Sequence, residues 1–207
     1  MKINKEWHLK NKMPKNPTLE ERINWHIEHA KNCNCREIPG NIKEEINKRK
    51  KEVSKMKYWL MKSEPEVFSI DDLKKNKKTH WDGVRNFQAR NFMKNEMKKE
   101  DKVLFYHSNA DPSGAAGIAE VIKEGYPDHT QFDPDDKHFE PKASPQKPYW
   151  YMVDIKFVKK FKKFIPLGDI KKNPKLKKMR LVQRGNRLSV MPVEKSEFDE
   201  IVKMGSK

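Results

Sequence analysis

The chain has 207 residues, 35% hydrophobic and 37% charged, with 46 Lys and Arg against 30 Asp and Glu and a net charge of +16. That length holds one good core and an extension, and it excludes two full-sized domains. No apolar run approaches membrane-spanning length and residues 1–20 lack a signal peptide's apolar segment, so the expectation is a cytoplasmic protein without membrane contact.

The positive field attracts polyanions, which makes nucleic acid the first partner to weigh; a Lys-rich surface that merely solubilises is the plainer alternative. Residues 1–55 are polar, with 14 Lys and Arg against 8 Asp and Glu, and they read as a helical extension. Thr18 to Glu21 forms a capping box, and Leu19, Ile23, Ile27 and Ala30 share a helical stripe with His26, so a helix should run to about Asn32. A second helix is expected over 41–54, a solvated connector whose Lys/Arg cluster at 48–51 is placed to touch phosphates.

From residue 56 the texture changes to dense aromatic and aliphatic runs. Strands are expected at 58–62, 102–107, 115–123 and 149–157, with a late one at 187–190. Ser69 should cap a short helix and Asn86 a longer one, and 194–203 should close the chain as a helix. Residues 125–148 hold five prolines and read as a long irregular loop. The pattern predicts an α+β fold around a small β-barrel flanked by helices.

A pocket for one base needs an aromatic plane to replace the lost stack, polar partners for the base edge, and cations or helix N-termini for phosphate. Four clusters supply these types. Lys62-Ser63-Glu64-Pro65 ends the first strand. Trp81 to Asn86 places an indole, the Arg85 guanidinium and a helix start within six residues. Tyr106-His107-Ser108 ends another strand, and Arg184 to Ser189 comes late.

The stretches YWLMKSEPEVFS, WDGVRNFQARNFM, DKVLFYHSN, GIAEV, YPDHTQFDP, PYWYMVDIKFV and RLSVMPV together resemble the EVE domain family. That resemblance spans 56–207 and implies a PUA-like fold, related to YTH and ASCH domains. It implies a reader of modified bases, either modified cytosine in DNA or a modified RNA base, without catalysis or cofactor. Carried onto this chain, the family's pocket blocks fall on Lys62, Ser63, Glu64, Trp81, Val84, Arg85, Asn86, Arg90, Tyr106, His107, Ser108, Arg187, Leu188 and Ser189. The extension at 1–55 departs from the family pattern. A monomer is expected.

Each residue has a plainer reading. Trp81 would serve equally as core, Arg85 as a partner for Asp82, His107 as a hydrogen-bonded structural histidine, and the serines as turn residues. The cluster His26, His29, Cys33 and Cys35 has the residue types of a tetrahedral zinc site. However, His26 also falls on the apolar stripe, and one residue between the cysteines is fewer than a zinc knuckle has, so no metal is assigned. Two other functions compete with the reader. One is a non-selective RNA-binding accessory protein using the Lys runs at 159–163 and 171–178. The other is an enzyme acting on modified nucleotides, against which stand the missing deaminase and phosphate-loop motifs.

Overall fold

The computed structural model describes residues 3–33 and 35–206, with backbone alone over 50–55. Its contacts divide the chain into two compact units, Met1–Lys55 and Met56–Lys207.

The first unit has three helices: α1 (Lys5–Lys10), α2 (Leu19–Asn32) and α3 (Gly40–Lys55). The Thr18 hydroxyl accepts from the Glu21 amide while the Glu21 carboxylate accepts from the Thr18 amide, so the capping box forms in full. The core here is small: Ile23, Ile42 and Ile46, with Ile27 and Ile38 packed against it. No expected element matches α1, whose six residues carry Trp7 and His8 and bury no side chain fully. Two members of the basic cluster at 48–51, the side chains of Lys50 and Lys51, lie outside the described residues.

The second unit is one six-stranded sheet with helices against it. Its strands are β1 (Tyr58–Ser63), β2 (Lys78–Trp81), β3 (Lys102–His107), β4 (Gly114–Pro127), β5 (Tyr151–Pro166) and β6 (Val190–Val193), in the order β2-β5-β4-β3-β1-β6. β1 and β3 run parallel; every other pair is antiparallel. The helices are α4 (Ile70–Asn76), α5 (Phe87–Asn91), α6 (Leu167–Lys172) and α7 (Lys195–Gly205).

The sheet is rolled. Its two outermost members are β2 and β6, and no pairing joins them among the described residues, so the roll is open rather than a closed barrel. β4 and β5 do the bending. They pair along 14 and 16 residues with four register shifts, and each bulge increases local twist. The Lys run at 159–163 lies inside β5, which extends nine residues past the expected end. The strand expected at 187–190 begins instead at Val190, leaving Arg187, Leu188 and Ser189 in the approach to it. The single long helix expected after Asn86 is a five-residue α-helix followed by a π-helical segment, Phe92–Glu96. The core holds Trp59, Leu60, Met61, Val103, Leu104, Phe105, Met93 and Ile155, all sealed from solvent. Buried Asp101 anchors the start of β1, accepting from the Lys57 amide at 2.8 Å and the Trp59 indole at 2.8 Å.

Candidate nucleic-acid interface

The parallel pairing of β1 with β3 brings two of the sequence clusters together. Both strands end on the same edge, with Ser63 opposite His107, and the Ser108 amide donates to the Ser63 carbonyl at 2.8 Å. The Lys62 amide donates to the Ser189 carbonyl at 2.8 Å, which adds the late block beside them. Beyond this edge lies a cavity of about 500 Å³. Its walls come from the end of β1 (Lys62, Ser63), the following turn (Val67, Phe68), β2 and the turn after it (Thr79 to Arg85), the loop Asp136–His138, and Ser189.

Trp81 is both wall and core. It is 8% exposed and meets the Phe105 ring edge-on at 5.5 Å. Its indole N–H donates to no protein group among the described residues. Lys62 is half-buried, and burial pushes its ammonium below the ordinary lysine range. No carboxylate pairs with it among the described residues. The cavity therefore offers an indole, the apolar surface of Val67 and Phe68, and an ammonium that has lost part of its water without gaining a counter-ion.

One network fixes the far wall. Arg85 donates through Nη1 to Asp128 at 2.8 Å, through Nη2 to Thr130 at 2.8 Å, and through Nε to the His138 carbonyl at 2.9 Å. Asp128 also accepts from the Gly83 amide at 2.9 Å and the Thr130 amide at 2.9 Å. Burial alone would raise the Asp128 carboxyl, but the donors from Thr130, Arg85 and Gly83 outweigh it and hold it below the usual range. Gly83 has φ +71, and a β-carbon there would come within 2.7 Å of the His138 ring. Glycine is the residue that permits both the left-handed backbone and the close approach of the 136–138 loop. The Pro-rich excursion is thus tied down at both ends. Fully buried Gln131 completes it, donating to the Trp150 carbonyl at 2.9 Å and accepting from the Tyr149 and Trp150 amides at 2.8 and 2.9 Å.

Of the residues singled out in the sequence, Lys62, Ser63, Trp81, Val84, Arg85 and Ser189 line the cavity. Asn86, Arg187 and Leu188 line a second, shallower depression together with Arg180 and Arg184; since Leu188 and Ser189 are consecutive, the two depressions adjoin. The remaining five line neither depression. Glu64 accepts from Asn109 at 2.7 Å. Arg90 donates to the Tyr149 carbonyl at 3.1 Å and lies over the Phe87 ring. Tyr106 is buried, which pushes its phenol up to about 12. His107 Nε2 accepts from the Ile70 amide at 3.1 Å, at the start of α4. Ser108 joins the strand ends as described. The Arg85 guanidinium, which lines the cavity, donates to Asp128, Thr130 and the His138 carbonyl, and the Asn86 side chain caps α5.

The sequence reading missed Val67, Phe68, Thr79, His80, Asp82, Gly83 and the 136–138 loop. Asp82 and Gly83 stand inside the WDGVRN stretch, and an ordered loop rich in proline was the available signal for His138.

Residues 57–204 match the EVE domain family. Thymocyte nuclear protein 1 of Homo sapiens is 44% identical to this chain over 169 residues, covering 72% of this chain and 74% of the relative. The crystal structure of human THYN1 protein in complex with 5-methylcytosine-containing DNA superimposes with a TM-score of 0.68 at 43% identity, covering 73% of this chain and 99% of that one. A structure of a hypothetical protein from Leishmania major gives 0.68 at 50% identity, covering 72% and 94%.

Proposed function

This chain belongs to the EVE domain family, and from that premise we propose that residues 56–207 are a reader module that holds one modified base of a nucleic acid in the cavity beside Trp81. The observation that carries the reading is that cavity of about 500 Å³, where an indole and a phenyl ring stand beside an unpaired, half-buried ammonium. A single heterocycle fits such a volume. The aromatic walls replace the stacking a flipped base gives up. Lys62 faces an acceptor on the base edge or a nearby phosphate. Arg180, Arg184 and Arg187 in the adjoining depression hold the backbone. The human THYN1 structure in complex with DNA containing 5-methylcytosine favours modified cytosine in DNA. No chemical step forms part of the proposal.

The test is a pair of oligonucleotides that differ only in one 5-methylcytosine, titrated at matched salt because phosphate contacts dominate raw affinity. Tighter binding of the methylated strand, lost in Trp81→Leu and Lys62→Met, is the expected result. Equal affinity of the natural protein for both strands removes the reading.

A second reading has its own observation. Lys159, Lys162 and Lys163 are exposed on β5 and form no ion pair among the described residues. A non-selective RNA-binding protein would use this tract, and replacing the three lysines would then weaken binding more than any change at Trp81.

A further inference from the structure

Residues 1–55 lie outside the stretch that matches the family, and they hold a second constellation. His8 comes from α1, His29 from the last turn of α2, Cys33 is the C-cap of α2, and Cys35 follows two residues later. One ligand atom from each lies within 4.8 Å of all the others. His29 Nε2 is 3.2 Å from Cys35 Sγ, and His8 Nε2 is 3.5 Å from the same sulfur. Tetrahedral zinc, with bonds of about 2.3 Å to sulfur and about 2.0 Å to nitrogen, sets such atoms roughly 3.5 Å apart.

The sequence pattern put His26 in this set, and the structure replaces it with His8. His26 lies one turn earlier on α2, is 5% exposed, and packs edge-on against Trp25. The set gathers instead at the end of α2, where the chain turns back past α1. The short spacing of the cysteines is no obstacle, because the two histidines approach from separate helices.

The surroundings are those of a held site. Trp25 stacks on His29 at 4.9 Å and 8°, and Trp7 packs on the same ring at 5.5 Å. The Asn4 amide points at Cys33 Sγ at 3.3 Å, an outer donor of the kind that steadies a bound thiolate. The unit also needs what a metal gives. Its buried core is three isoleucines, and units this small generally require a staple. Both cysteines are free, so no disulfide provides one.

We propose that His8, His29, Cys33 and Cys35 form a structural zinc site that closes the N-terminal unit. Four protein ligands leave no open position, so the site is structural rather than catalytic. The thiols enter as thiolates and their charge offsets that of the ion; loading zinc releases protons into solution.

The experiment uses the full chain, stripped with chelator and reloaded with zinc(II) or cobalt(II). One zinc per chain is expected, lost in the double variant Cys33→Ser with Cys35→Ser, reduced in His8→Asn and kept in His26→Gln. Because a variant can fail to fold, the cobalt form of the natural chain decides independently. It should show the intense visible absorption of a tetrahedral ion and the near-ultraviolet band of thiolate coordination. Absence of stoichiometric zinc, or a weak octahedral cobalt spectrum, overturns the proposal. So does zinc that persists in the double variant, which would be held elsewhere, as at His80, Asp82 and His129.

Discussion

Trp81 and Phe105 touch edge to face, their ring centroids 5.5 Å apart at 86°, although β5 and β4 lie between their strands in the sheet. Strands three places apart in a flat sheet are separated by roughly 14 Å, so this contact exists because the sheet rolls. The same roll makes the wall that Trp81 presents to the cavity. Trp81→Ala should therefore cost about 3–5 kcal/mol of stability besides its effect on binding. Trp81→Phe, which keeps a ring against Phe105, should cost much less. Chemical denaturation of both variants, read beside oligonucleotide binding, checks whether the two roles separate.

Arg85 and Asp128 form a pair whose carboxylate is fully sealed and whose guanidinium is 21% exposed. Arg85→Ala leaves that carboxylate without its cation and should cost about 3–5 kcal/mol. Removing the acid as well, in Arg85→Ala with Asp128→Asn, should recover part of the loss. A double-mutant cycle measures the coupling; strict additivity would show that the two side chains act separately.

Gly83→Ala should destabilise by about 1–3 kcal/mol through its left-handed backbone and its approach to the His138 ring. Adding His138→Ala relieves the second cause and leaves the first, so it should restore stability only in part. Thermal melts of the natural chain and the two variants distinguish the contributions.

His107 accepts from the Ile70 amide, and burial, the largest cause, lowers its basicity despite the nearby Asp71 carboxylate. The folded chain thus binds this proton less readily than the unfolded chain does. Stability should fall as pH drops through about 6.5, the ordinary histidine value, and level off below the folded value. His107→Gln keeps an acceptor without the titration. The pH dependence should be shallower in that variant than in the natural chain, and identical slopes would exclude His107 as its source.

The types of element were mostly legible in the sequence, because capping residues and apolar alternation are local signals. The Thr18 box and the Ser69 cap form as read, and the strands Tyr58–Ser63 and Lys102–His107 lie where the apolar runs put them. What failed was decided by distant partners. The Lys run at 159–163 lies past the end that alternation sets at Phe157, yet Lys159 and Lys160 pair with Ile118 and Gly117 of β4. β2 is four residues long with one buried side chain, too short to carry a period. In the site, the residues at strand ends were visible as polar groups after apolar runs. The uses of Arg85 and His107 were not, because each depends on a carboxylate, carbonyl or amide between 37 and 53 positions away. The first unit shows the same limit. His26 and His29 look alike on one helix, and only the arrival of α1 tells them apart.

The 136–138 loop is fastened to the turn at Gly83 by Arg85 and Asp128 before any ligand arrives. The conformational entropy of that wall is consequently spent when the chain folds and not on association. An oligonucleotide should meet a slot already shaped to receive it, with the ordering penalty falling mainly on the base that leaves its stack. Calorimetry should then find an entropic cost that tracks how readily the target base unpairs, smaller for a single strand than for a duplex.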